Sequence, residues 1–356
     1  MEEEILGSVG AHHGPAYSCR VRLANPGSRI DPLVVLTDHR SPQANVSYID
    51  QIIGEGVDGI KFSHFARELR DLDVDVVHVN QAVRLLGGAG TTNDERADIA
   101  QAVVAELRRR ELPLVQTLYG PHQGAGAEWR RAFDDATAMF IVLDEATSTP
   151  APGRTTVIPH AHYRDRFVGY PRKEQIPGRL LAISPNRLVK VAAGPLKIFP
   201  LTNTPGLSLR VMGQPNAALD ALLEKVLGRH PERVSAVTGL VSDAMMVNEI
   251  SASELVILPD NATLVDESML MLALSLDRPV LVPESAATRL LAEEVGSGWV
   301  HHHAGAVTAE RLDEVVDAVR NTPRSEHPDL SRRDAGATAA RYAEVFRSVA
   351  TSDVPA

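Results

Sequence analysis

Apolar residues in this chain come in short runs separated by polar breaks rich in glycine and proline. The first run, Leu33-Val34-Val35-Leu36, is apolar throughout and partly β-branched. That pattern predicts a strand over 32–37 buried on both faces, as in a parallel sheet. Runs at 60–63, 75–79, 114–118, 139–143 and 156–158 predict further strands of this kind. Between them the period changes. Val46, Ile49, Ile52 and Ile53 fall at helical spacing, with Gly54 and Gly56 as stops, and 96–110 predicts a second helix that ends before Pro113.

The alternation pauses at 170–178, where two prolines and mixed charges stand, and then restarts. Strands are predicted at 180–183, 207–212, 234–237, 255–258 and 279–282, and helices at 267–276, 308–321 and 335–349. Repeated strand–helix alternation implies parallel sheets with right-handed crossovers. The expected architecture is therefore α/β, with two Rossmann-like domains whose parallel sheets face a cleft. Residues 1–30 are expected to be a flexible arm, 31–172 the first domain, 178–330 the second, and 331–356 a terminal helical segment.

Length supports two domains, since 356 residues exceed one ordinary core. A net charge of −10 argues against general nucleic-acid binding. Cys19 is the single cysteine, so neither an internal disulfide nor a zinc spacing exists, which fits the reducing cytoplasm. No stretch reaches the ~20 apolar residues of a membrane span. Residues 1–10 lack a signal-peptide core.

In open parallel sheets ligands bind beyond the carboxyl ends of the strands, where helix N-termini offer free N–H groups. Arg187 and Lys190 stand just past the strand at 180–183. A forked guanidinium and a point-charge ammonium suit a diphosphate, although both residue types are also ordinary on surfaces. Glu267 and Ser268 open a helix after 255–258 and could meet a sugar or ribose, or simply cap that helix. His160 and His162 would point the same way if their strand continued, as a cleft or hinge pair. No carboxylate or thiol at a supporting spacing makes them metal ligands, and no metal site is expected. The glycine-rich loop 120–126 holds His122, a candidate base by its titration range. Arg108-Arg109-Arg110 and Arg130-Arg131 offer basic spots or merely solvated helix ends, and Arg320 reads as an ordinary surface arginine.

At these residues the chain resembles bacterial GT-B glycosyltransferases of the exopolysaccharide-assembly kind, related to glycosyltransferase family 4. The stretch Val157-Ile158-Pro159-His160-Ala161-His162-Tyr163-Arg164 looks like that group's V-I-P-H-G-H-Y segment, with Ala161 in place of Gly. Asn186-Arg187-Leu188-Val189-Lys190 looks like its I-R-P-Y-K segment, whose cations hold the donor diphosphate. The last two strand regions, 255–259 and 273–283, also match, and the resemblance covers roughly 32–350. It implies the GT-B fold, a nucleotide-sugar donor, a glycan or lipid-linked acceptor, no bound cofactor, peripheral membrane contact, and a last helix that crosses back onto the first domain.

The departures are specific. The family's two glutamates, eight residues apart, fall on Leu264 and Leu272 here, with Glu267 nearby. Tyr119 stands where a histidine is usual, with His122 three residues on, and Asp277 replaces a turn glycine. Three readings follow: a sugar transferase using Tyr119, His122 and Glu267 in the catalytic roles; a silent homologue that binds a partner or glycan; or a nucleotide-sugar epimerase on the same architecture.

Overall fold

The computed structural model describes residues 32–37, 48–64, 73–80, 85–86, 91–118, 128–184, 188–258 and 267–351. Tyr119, His122 and Arg187, like the 1–30 arm, lie outside the described residues, and of Lys190 only the backbone is described.

The apolar runs form two separate six-stranded sheets, and every strand pair is parallel. The first holds β1 (Leu33–Thr37), β2 (Ile60–His64), β3 (Val76–Val79), β4 (Leu114–Leu118), β5 (Thr137–Val142) and β6 (Thr155–Val157), in the order β2-β1-β3-β4-β5-β6. The second holds β7 (Arg179–Ser184), β8 (Ser208–Gly213), β9 (Val234–Thr238), β10 (Leu255–Ile257), β11 (Val280–Pro283) and β12 (Val300–His303), in the order β12-β11-β10-β7-β8-β9. The strand order reverses between β1 and β3 in one sheet and between β7 and β10 in the other. Such switch points are where doubly wound sheets bind ligands.

Helices fill the crossovers: α1 (Tyr48–Glu55), α2 (Asn93–Arg109), α3 (Glu128–Asp135), α4 (Leu188–Ile198), α5 (Ala217–Arg229), α6 (Asp243–Ala252), α7 (Glu267–Ser275), α8 (Ala286–Val295), α9 (Ala309–Asn321) and α10 (Ala335–Thr351). Local chemistry fixes several ends. Thr92 and Glu95 form a capping box at α2, and Ser285 and Thr288 do the same at α8. Asp277 takes the left-handed turn after α7, with φ 57°, which a short polar side chain tolerates better than most.

Residues Pro32–Ala356 form one compact unit. Two chain crossings join the sheets, one after β6 and one before α10. α10 follows the second sheet in sequence but packs on the first: Ala339, Tyr342, Phe346 and Val349 are buried against Val35, Ile49, Ile52, Val76, Val115 and Ile141. Gly178 sits between β6 and β7 at φ 76°, and a Cβ there would lie 2.1 Å from the Gly206 carbonyl oxygen, so only glycine fits.

Two expectations need correction. β6 ends at Val157, so His160 and His162 do not continue a strand with a shared direction. Pro159 has no N–H to extend the ladder. Arg320 is not an ordinary surface residue: its guanidinium bonds both oxygens of Glu254, at 2.7 and 3.0 Å. The Glu254 side chain is only 6% exposed and also accepts the Gly178 N–H.

Candidate active site at the facing strand ends

The carboxyl ends of β1, β3 and β4 carry polar side chains that have no place in a purely apolar sheet. Thr37 closes β1, His78 lies in β3 and Thr117 in β4, and all three are fully buried or nearly so. They bond one another in a row. His78 Nδ1 lies 3.3 Å from Thr37 Oγ1, and its Nε2 lies 2.9 Å from Thr117 Oγ1. Burial pushes the His78 imidazole down to about 3, so it is neutral at physiological pH. Thr117 Oγ1 also lies 3.2 Å from the Tyr342 hydroxyl on α10. Burial pushes that phenol well above the ordinary tyrosine range. Hydrogen bonds with Thr117 and Tyr48 work against the shift, and the Glu267 carboxylate adds to it.

Tyr48, at the start of α1, links this row to the second sheet. Its ring stands edge-on to Tyr342 at 5.8 Å and tilts over His160 at 4.5 Å. His160 Nδ1 lies 2.8 Å from the Ala161 carbonyl, which can only accept, so this nitrogen carries the proton. Nε2 is then the acceptor, and the Ser268 hydroxyl donates to it across 3.2 Å. Burial holds His160 down to about 3 despite the Ala161 bond, with Arg333 adding to the depression. Ser268 belongs to the first turn of α7, which follows β10 at the second switch point.

The structure therefore brings together His160, Ser268 and the neighbourhood of Glu267, three positions chosen from sequence. His162 is placed apart from them. Its backbone carbonyl accepts from Gln51, its N–H donates to Arg333 O at 2.8 Å, and burial lowers its imidazole. It serves the crossing between the sheets. Sequence reasoning missed Tyr48, Thr117 and Tyr342 as site residues. The signal was a hydroxyl on a largely apolar buried face, as at Tyr342 among Ala339, Phe346 and Val349, with Thr338 as a second one on the same helix. Among the described residues no group of three His, Cys, Asp or Glu side chains could hold a metal ion. The basic spots differ in kind. Arg130 is half-buried over the Trp129 ring, and Arg109 forks onto Glu106.

This arrangement, two parallel sheets meeting at their switch points with buried hydrogen-bonding groups between them, is the GT-B architecture, which glycosyltransferases share with nucleotide-sugar epimerases. The comparisons agree with that class. Two proteins of Xanthomonas campestris pv. campestris, both described as GDP-mannose:glycolipid 4-beta-D-mannosyltransferase, are 34% and 33% identical over 314 residues, or 85% of this chain and 88% of theirs. The chain belongs to the glycosyltransferase family of these two enzymes. No family model matches it.

Among solved structures, Anabaena Alr3699/HepE in complex with UDP superposes with a TM-score of 0.61 at 12% identity, covering 89% of this chain and all of that one. A UDP-forming trehalose-phosphate synthase from Burkholderia xenovorans gives 0.56 at 12% identity, covering 90% of this chain and all of that one. The UDP-GlcNAc 2-epimerase of Neisseria meningitidis gives 0.56 at 11%, covering 88% and 99%. These likenesses establish the fold. The chain is an enzyme that transfers a sugar from a nucleotide-activated donor.

Proposed function

We propose that this enzyme moves mannose from GDP-mannose to the 4-hydroxyl of a glycolipid, giving a β linkage. The 34% identity over 85% of the chain carries this reading. Mannose in GDP-mannose is α-linked, so a β product requires one in-line displacement. The acceptor oxygen attacks C1, the C1–O bond to GDP breaks, and the acceptor proton passes to a base. We assign that base to His122, for its titration range and its place three residues past the position where the family has a histidine, with Tyr119 and Glu267 taking the roles of the family residues at or near whose positions they stand.

Arg187 and Lys190 take the diphosphate. Charge developing on the leaving GDP is met by fixed cations and by helix N–H groups, an electrostatic contribution that needs no bound metal. The start of α4 at Leu188, four residues past the end of β7, supports this assignment, because a helix that begins just beyond a strand end turns the N–H groups of its first turn toward a ligand there. The acceptor is lipid-linked in this reading, so the enzyme works at the cytoplasmic face of a membrane by peripheral contact. No helix among the described residues is long and apolar enough to cross one.

The test uses purified protein, a lipid-linked oligosaccharide and GDP-mannose or UDP-glucose, with products read by mass spectrometry. Transfer of one hexose from GDP-mannose alone is expected. Equal transfer from UDP-glucose overturns the donor assignment. Titration with GDP should show loss of affinity in Arg187→Ala and Lys190→Ala, with Arg229→Ala as an exposed control. Unchanged affinity in both variants removes the diphosphate site.

A further inference from the structure

We propose that Tyr342 is a positioning residue for sugar transfer: its hydroxyl, through Thr117 and His78, sets the strand ends that present the acceptor-side loops, and its ring, through Tyr48, ties them to the donor-side helix. The inference rests on the transfer reading above.

Tyr342 belongs to α10, which comes after the second sheet in sequence yet lies on the first. Its neighbours on the buried stripe, Ala339, Phe346 and Val349, are apolar. A phenylalanine would fill the same space. The tyrosine instead buries a hydroxyl completely, which costs desolvation and returns little net stability when bonded. Packing alone therefore does not account for the oxygen.

Its partners do. Thr117 Oγ1, 3.2 Å away, is the penultimate residue of β4. Two residues later the chain enters 119–127, which contains Tyr119 and His122. The same Thr117 oxygen meets His78 Nε2 at 2.9 Å, and His78 Nδ1 meets Thr37, the last residue of β1, at 3.3 Å. The phenol thus heads a row of hydrogen bonds, through Thr117 and His78 to Thr37, that joins three adjacent strands near their carboxyl ends. The His78 ring is held from the side by Tyr342, at 5.7 Å, and by Phe346, at 5.3 Å.

In the other direction, Tyr48 stands between Tyr342 and His160, and His160 Nε2 accepts from Ser268 in the first turn of α7. Acceptor-side strands and donor-side helix are thereby registered through a single buried side chain. Transfer requires the two substrates in near-attack geometry, where displacement by about 1 Å lowers the rate on the order of a hundredfold. A chain of directional bonds restricts such displacement more tightly than apolar contact.

The experiment compares wild type, Tyr342→Phe, Thr117→Val, the double variant and Val349→Ala. Tyr342→Phe should keep its melting temperature, its affinity for GDP and its KM for the nucleotide sugar, while kcat falls by at least about tenfold. The double variant should fall no further than the worse single one, because both break the same link. Val349→Ala should lower the melting temperature and keep kcat. A kcat within about twofold of wild type in Tyr342→Phe overturns the proposal. So does a kcat loss in Val349→Ala that matches its thermal loss, since α10 would then act by packing alone. If wild type transfers no sugar, the functional reading fails by itself. The link is then read from the 15N resonance of His78 Nε2: a shift in Tyr342→Phe supports the coupling, and an unmoved resonance overturns it.

Discussion

The Arg333 guanidinium grips the Glu294 carboxylate with both prongs, Nε to Oε1 at 2.8 Å and Nη2 to Oε2 at 2.9 Å. Arg333 lies on the second crossing between the sheets and Glu294 near the end of α8. The remaining nitrogen, Nη1, donates to the His160 carbonyl at 3.2 Å, so this one side chain holds both crossings together. The two side chains are 10% and 15% exposed, and neither can easily recover water if its partner is lost. Arg333→Ala should destabilise the protein by about 3 kcal/mol, because it leaves a charge largely buried and unpaired. Urea denaturation measures this. A loss below about 1 kcal/mol, as at an exposed ion pair, would show that the clamp does not hold the crossings.

His78 and His160 make stability depend on pH. Both sit at about 3 when folded, against about 6.5 in an unfolded chain. A depressed histidine favours the fold above its unfolded value, and the contribution disappears as pH falls from about 6.5 toward 3, where only the unfolded state takes up the proton. Each group should remove about 1.4 kcal/mol per pH unit inside that window. The denaturation midpoint should fall steadily between those limits, and His160→Gln should make the slope shallower, while His162, His301 and His303, also lowered by burial, keep part of it. A midpoint independent of pH there would mean that the two rings are not excluded from water.

Gly178→Ala should be severe. The residue occupies positive φ, and the added methyl would meet the Gly206 carbonyl at 2.1 Å. A loss of more than about 2 kcal/mol is expected from strain and overpacking together. A melting temperature equal to wild type would contradict the close approach of these two segments.

Arg320→Ala should cost about 2 kcal/mol, because the buried Glu254 carboxylate would lose both of its charge-assisted bonds and keep the Gly178 N–H and the weaker pull of the Arg324 charge. Burial raises the Glu254 carboxyl, but Arg320 and the Gly178 N–H outweigh it and hold the group below the usual carboxylate range. Its stabilising effect is thus present at neutral pH and fades as pH falls through that lowered value. Arg229→Ala, at an exposed helix end, should change stability by less than about 0.5 kcal/mol.

The fold was legible because a strand buried on both faces leaves an apolar run that few other structures produce. Leu33-Val34-Val35-Leu36 and Leu114-Val115 announce their sheet directly. β12 was not legible, since Val300-His301-His302-His303 is polar by composition and pairs only through its backbone with β11. α5 and α8 were also missed, though both carry a side-chain cap at their starts, Asn216 and Ser285.

Part of the site was legible as polar residues in the segments that follow β6 and β10, at His160 and Ser268, whereas the charged pair Arg187 and Lys190 falls where the side chains are outside the described residues. The contribution of Tyr342 depends on a contact with Thr117 across 225 positions of sequence, and no local period encodes it.

The position of α10 also decides when the first sheet can be finished during synthesis. β1 to β6 leave the ribosome first, but the face formed by Val35, Val76, Val115 and Ile141 is covered by Tyr342, Phe346 and Val349. That covering segment emerges roughly 180 residues after β6. At ~5–20 residues per second, this apolar face waits on the order of 10–40 s. The second sheet has no such delay and can close while its partner is still open. The nascent chain therefore matures from its middle outward, and the half that emerges first is the one most exposed to misassociation and most dependent on chaperone cover.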